Sequence, residues 1–356
     1  MAHTVCTTLP TGGTRVKRLT LNTASGGEIT VLATGGTIAT VRGTDGRSRP
    51  ELDIAELASA VGTTMDRYVV EQLMQVPSWA LTAQDMRRIA IRARELTQTT
   101  GAGVVVTHGT TTMAYTAWLT DLFLPSGPPV VFTGAMRRAD EPDADGPRNL
   151  SDAFGVANSP DAVGRGAMAC FAGEIFAARE VWKRSRTSMA PFTSESGRIG
   201  CVDEQGVVFE RSPFRPRTFD GEIEPAVALV KAFPDCTGAG IETAVENGAR
   251  GIVLEGLPGS GGIPPKMQPA VAHAAQRGVV TVLASSAPGG LISSTGGGTG
   301  EPLAHIGLIP AGDLTAEKAW VLLMVALAET PEIDGVRNIF DEVANHTTNS
   351  EEERRK

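Results

Sequence analysis

From Glu28 onward the sequence alternates short apolar runs with amphipathic windows, and this alternation most constrains its fold. The apolar runs include EITVLATGG, GAGVVVTHG, PPVVFTGA, GAMACFAGEIF, AVALVKAFP, GIVLEGLPG and GVVTVLASSAPGG. Between them lie the helical windows DIAELASAVG, AQDMRRIAIRARELTQ, MAYTAWLTDLFL, PRNLSDAFGVAN, AGIETAVENG, PAVAHAAQRG and LTAEKAWVLLMVALAET. Strands that are apolar along their whole length are buried on both faces, so helices must cover both sides of a parallel sheet. The expected fold class is therefore α/β, doubly wound.

A length of 356 residues suits two domains better than one. The alternation breaks in the polar, proline-containing stretch DEQGVVFERSPFRPRTFDGEIE, which marks a linker. The expected division is a flexible extension over 1–27, a larger N-terminal domain over 28–212, a linker over 213–224, a smaller α/β domain over 225–346, and a polar tail over 347–356. A net charge of −8 without a basic stripe excludes nucleic acid as a natural partner. Four cysteines lack CxxC spacing, which argues against a structural metal or a disulfide framework. Cys170 and Cys201 lie in apolar runs and read as packed thiols. No run reaches the roughly 18 apolar residues of a membrane span. The N-terminus lacks the apolar core of a secretion signal, so a cytoplasmic location is the default expectation.

In doubly wound sheets ligands bind beyond the carboxyl ends of the strands. Three turns there are rich in glycine, hydroxyl and amide groups: ATGGTIAT, THGTTT and TGAMRRADEPDADGPRN. In the first, Gly35 and Gly36 permit a tight bend, and Thr37 either caps a helix or faces a cleft. Nucleotide fingerprints are absent, since neither GxGxxG nor GxxxxGK[ST] occurs. In the second, Thr107, Thr110, Thr111 and Thr112 supply more hydroxyls than a helix cap needs. A hydroxyl nucleophile needs a base, and no Ser-His-Asp arrangement is legible around the five histidines. Lys183 in AREVWKRSRT is the remaining base type, provided burial or a neighbouring cation lowers its pKa from about 10.4.

Together LATGGTIA, VVVTHGTTTMAYTAWLTDLFL, PVVFTGAMRRADEPDADGPRNLSDAF, AREVWKRSRT with PFTSESGRIG, and LTAEKAWVLLMVALAET resemble the bacterial L-asparaginase/glutaminase family over residues 28–345. The resemblance implies a two-domain asparaginase-like fold and hydrolysis of an amide through an acyl-threonine. It implies that Thr37 is the nucleophile, that Thr110 is the second threonine, and that Lys183 activates it. Ser78, Gly36, Gly109 and Thr111 are then the substrate-binding positions, Ser78 on a looser local match. It also implies a backbone amide at Thr110 that holds the oxyanion. The implied partner is a small-molecule amide. No metal or organic cofactor is called for, and the implied assembly is a homodimer or homotetramer.

Two positions depart from the family pattern. Thr111 stands where the family's HGTDT motif has an aspartate that grips the substrate's α-ammonium. Its replacement takes a negative charge out of what is expected to be a buried site and leaves an α-ammonium without its counter-ion. Losing that anion also lowers the expected pKa of Lys183. The loop after the first motif, TVRGTDGRSRPELDI, has no tyrosine; it carries Arg42, Arg47 and Arg49, with Gly43 and Gly46 as hinges of an expected lid. Neither Tyr68 nor Tyr115 takes the missing tyrosine's place by position. Asp140, Glu141, Asp143 and Asp145 are the acidic residues left to watch. Three readings follow: an amidohydrolase for a modified asparagine, glutamine or other amide; a conventional asparaginase weakened at Thr111; or a silent binding protein. The joint presence of Thr37, Thr110 and Lys183 speaks against the last.

Overall fold

The structure, a computed structural model, describes residues 3–7, 15–20, 28–52, 67–292, 297–298 and 303–344. The chain divides into two compact units, Met1–Thr218 and Phe219–Lys356.

The first unit is built on a ten-stranded sheet. In chain order its strands are β1 (His3–Thr7), β2 (Arg15–Thr20), β3 (Ile29–Ala33), β4 (Arg67–Gln72), β5 (Val104–Thr107), β6 (Val130–Thr133), β7 (Ala167–Phe171), β8 (Glu174–Ala177), β9 (Gly200–Asp203) and β10 (Gly206–Phe209). They lie in the order β1-β2-β4-β3-β5-β6-β7-β8-β9-β10. The centre, from β4 to β7, is parallel. Both flanks are antiparallel. Helices α1 (Ala83–Thr100), α2 (Met113–Phe123) and α3 (Gly146–Asn158) cover it. Because side chains alternate along a strand, the central strands feed two cores. Val31, Val105 and Val131 pack with Leu150, Ala153 and Phe154 of α3. Leu32, Val106 and Phe132 pack with Ile89 and Ala93 of α1 and Met113 of α2 on the other face.

Several expectations are corrected. Within the stretch read as a flexible extension, β1 and β2 form strands; their Thr and Val content favours extension, and pairing with β4 satisfies their backbone groups. GAMACFAGEIF is two strands, β7 and β8, joined by a reversal at Ala172 (φ 53°) and Gly173 (φ 77°). The polar stretch after Asp203 begins with strand β10 before the irregular segment. Tyr68 lies within β4. The window DIAELASAVG and the tail over 347–356 lie outside the described residues.

The second unit is a four-stranded parallel sheet, β11 (Val227–Lys231), β12 (Gly251–Gly256), β13 (Val280–Ser285) and β14 (Leu308–Pro310), in that spatial order. Its helices are α4 (Ala239–Glu246), α5 (Gln268–Gln276), α6 (Ala316–Glu329) and α7 (Ile333–Ala344). Ile252, Leu254, Leu283 and Leu308 meet Ile241 and Val271 in its core. Among the described residues, no helix is long and apolar enough to cross a membrane.

Candidate active site

The register of the sheet assembles the site. Ala33, Thr107 and Thr133 pair in one row at the carboxyl ends of β3, β5 and β6. The turns that follow these strands therefore emerge side by side. Thr34 ties the first turn to the second, donating from both its amide (3.1 Å) and its hydroxyl (2.8 Å) to the Thr107 carbonyl. Gly36, at φ 89°, then comes so close to the second turn that a β-carbon would stand 2.6 Å from both the nitrogen and the Cα of Gly109. Only glycine satisfies both the left-handed backbone and this contact. Gly36 takes the N-cap position of a short 3₁₀ turn, Thr37–Ala39, with no side-chain cap. Thr37 is thus the first residue of that turn rather than its cap, and it is half-buried.

The second turn spends its hydroxyls on distant partners. Thr110 is buried, 7% exposed, and its Oγ1 accepts a hydrogen bond of 2.6 Å from Lys183 Nζ. The same hydroxyl lies 3.8 Å from Met136 Sδ, to which it donates. Thr112 occupies the N-cap position of α2 but makes no capping bond; its hydroxyl donates instead to the Ser78 carbonyl at 2.9 Å. Ser78 itself is buried in a 3₁₀ turn, Ser78–Ala80. A β-carbon on Gly109 would lie 2.4 Å from Ser78 Oγ, so these turns touch at backbone distance. The geometry thus brings together Gly36, Gly109, Thr110, Lys183 and Ser78. Thr37 is joined to them through the Gly36 backbone. Thr111 is exposed to solvent, which corrects the expectation of a buried position there.

Lys183 reaches Thr110 from a two-residue strand, Trp182–Lys183, paired with Phe192–Thr193. Its partner Phe192 is anchored edge-on against Phe171 of β7 at 5.3 Å. Burial pushes the Lys183 ammonium below its ordinary pKa. The shift favours the neutral amine, the form a base requires.

Behind the hydroxyl turn lies His108, fully buried, with Nδ1 at 2.8 Å from the Gly109 carbonyl and its ring edge-on to Phe132. Desolvation lowers its pKa to about 4, so the ring is neutral and holds the turn in place. Nε2 of His108 and the Thr107 hydroxyl are buried without hydrogen-bond partners among the described residues.

The four watched carboxylates are all engaged. Asp145 accepts from the Met136 and Arg137 amides and from Asn149 Nδ2, which fixes the third turn and seats Met136 beside Thr110. Arg138 pairs with Asp140 and Glu141 at 3.0 Å each, and Arg137 with Asp143 at 2.5 Å. The expected lid is a β-hairpin, Thr40–Arg42 with Ser48–Pro50. Two of its arginines serve the hairpin itself: Arg49 bonds Asp45 at 2.6 Å and Arg42 Nε the Gly46 carbonyl at 3.2 Å. Reading the sequence alone passes over Met136 and the packing role of His108. The one signal for each is adjacency to a strand end.

The family model for the asparaginase N-terminal domain matches residues 28–215, and that for the glutaminase/asparaginase C-terminal domain matches residues 226–340. The chain belongs to the asparaginase family. It is 36% identical over 317 residues to the probable L-asparaginase of Deinococcus radiodurans, covering 88% of this chain and 96% of that protein. It is 29% identical to the glutaminase-asparaginase of Pseudomonas fluorescens biotype A, over 88% of this chain and 89% of that one. Its fold matches the crystal structure of a probable cytoplasmic L-asparaginase from Campylobacter jejuni with a TM-score of 0.80 at 29% identity, over 89% and 100% of the two chains. As a member of this family the chain is an amidohydrolase acting on linear amides.

Proposed function

We propose that this asparaginase-family amidohydrolase transfers the acyl group of an asparagine- or glutamine-like carboxamide to Thr37, and that its substrate carries a blocked rather than a free α-amino group. The Thr37 hydroxyl gives up its proton through the Thr110–Lys183 pair and its oxygen attacks the carboxamide carbon. The C–N bond breaks, ammonia leaves with the returned proton, and water then hydrolyses the ester to a carboxylate. Backbone amides of the hydroxyl turn, that of Thr110 among them, hold the developing oxyanion. The observation that carries the reading is the 2.6 Å contact between Lys183 and Thr110, beside the turn that begins at Thr37, with the lysine's pKa lowered by burial.

The α-blocked substrate rests on charge. Thr111 offers no carboxylate, and Asp140, Glu141, Asp143 and Asp145 are spent on arginines and backbone amides. Plain asparagine is the second reading, favoured by the name of the Deinococcus radiodurans relative. A silent binder has no use for a lowered lysine on a buried threonine. We further assign the protein to the cytoplasm, as the name of the Campylobacter jejuni relative does for that protein, and to a homodimer or homotetramer, as is common in the family.

Ammonia release from asparagine, glutamine and Nα-acetyl-asparagine tests the proposal. The blocked amide is expected to be turned over better, Thr37→Ala to abolish turnover of all three, and Thr111→Asp to raise asparagine turnover. Preference for free asparagine in the wild type would leave the second reading; turnover surviving in Thr37→Ala would remove the acyl-threonine.

A further inference from the structure

Among the described residues, the most solvent-exposed aromatic side chain stands next to the site. Trp79 is 73% exposed, whereas Trp118 is fully buried and Trp182 and Trp320 are half-buried. A single exposed apolar side chain is ordinary on a protein surface; what sets Trp79 apart is its place directly after Ser78. Its position is firmly held. Trp79 is the middle residue of the turn Ser78–Ala80, whose first residue packs against Gly109 and whose carbonyl accepts the Thr112 hydroxyl. The next residues, Thr82 and Asp85, form a reciprocal capping box that starts α1. Trp79 is therefore clamped between the hydroxyl turn and a capped helix, and its ring projects from a fixed backbone.

Its neighbours in the chain, Pro77, Ser78, Ala80 and Leu81, carry no charge. Thr111, also exposed, lies between Thr110 and the very residue that bonds Ser78. Asp85, the carboxylate next in sequence to Trp79, is consumed by the Thr82 amide and hydroxyl. A rigidly held aromatic ring next to Ser78, with that acid occupied, can take an apolar group. Aromatic faces provide large contact area and orient planar partners by offset stacking.

We propose that Trp79 is a specificity-determining residue: its indole is the platform on which a planar, apolar acyl group on the substrate's α-nitrogen lies. The inference rests on the α-blocked reading above and narrows the substrate class to Nα-acyl carboxamides with an aromatic or extended apolar acyl group. Thr111 leaves the way to that platform open, because it carries neither the charge nor the bulk to hold an ammonium in its place.

The test compares kcat/KM for Nα-benzoyl-asparagine and Nα-acetyl-asparagine in the wild type, Trp79→Ala and Trp79→Phe, with size-exclusion mass recorded for each. The wild type is expected to favour the benzoyl compound by about tenfold, the order a single apolar contact supplies in a pocket. In Trp79→Ala the ratio should collapse to about one through KM, and Trp79→Phe should retain most of it. An unchanged ratio in Trp79→Ala overturns the platform while leaving the α-blocked reading intact. Failure of the wild type to hydrolyse either blocked amide overturns that reading and the platform with it. Two other results also overturn the platform. One is a loss of asparagine turnover matching the loss for the benzoyl compound, which would make Trp79 a cation–π site for the α-ammonium. The other is a fall in assembled mass with both blocked substrates affected alike, which would make Trp79 a subunit contact.

Discussion

Acid should unfold this protein through one residue of the site. His108 is fully buried and its pKa is lowered from 6.5 to about 4 by desolvation. The folded state therefore binds its proton only below pH about 4, whereas the unfolded chain binds it below 6.5. Between those values the unfolded state carries more protons, so stability falls as pH falls through the window. Each pH unit across that window is worth about 1.4 kcal/mol, which makes the full difference about 3 kcal/mol, with about 2 kcal/mol already lost by about pH 5. Most carboxylates are still ionised at that pH, so the histidine dominates the slope. His108→Asn is the control, since an amide nitrogen can replace Nδ1 in the bond to the Gly109 carbonyl and does not titrate. Urea unfolding of both proteins at about pH 7 and about pH 5 gives the comparison: the wild type should lose about 2 kcal/mol more than the variant between the two. Equal losses would refute the claim that His108 is held neutral by burial. Activity of the folded enzyme should hold across this window and decline only below about pH 4, where the proton enters directly behind the turn that carries Thr110.

Two further outcomes follow from the packing of the turns. Gly36→Ala places a methyl group against the Gly109 backbone at φ 89°, and should cost on the order of 1–3 kcal/mol in unfolding measurements and lower kcat more than it raises KM. Lys183→Met should lower kcat by roughly 10²–10⁴-fold. In the wild type kcat should rise with pH as the buried amine loses its proton and level off above its lowered pKa; the variant should lack that rise.

The fold was largely legible because strand burial on both faces writes itself as unbroken apolar runs. Val104–Val106 and Val130–Phe132 have no alternation to read otherwise, and the structure buries every one of them. What escaped was written in backbone conformation rather than hydropathy. The reversal at Ala172 and Gly173 breaks one apolar run into two strands, and no polar residue marks it. Helix α7 escaped although Val336, Ile339, Phe340 and Val343 carry helical spacing, because acidic residues dilute the run. In the site, Thr110 and Lys183 were found as residue types, but their contact spans 73 positions and depends on a ribbon only two residues long. Burial of Thr111 was expected from the resemblance to the family's aspartate site; the structure instead leaves it exposed although Thr110 and Met113 near it are buried.

That exposure changes what the missing carboxylate costs. A buried aspartate lost from beside Lys183 would unbalance the lysine and invite a compensating anion. An exposed threonine imposes no such demand, and the lysine's pKa falls through burial alone. The acids of the third turn are held by Arg137, Arg138 and the backbone amides of Met136 and Arg137 rather than turned toward the amine. On the proposed reading, the hydrolytic pair and the α-nitrogen site are electrostatically separable. A changed charge at Thr111 is then expected to adjust which α-substituent is held while Lys183 keeps its contact with Thr110. Thr111→Asp should therefore move the choice between free and blocked amides more than the maximal rate with either.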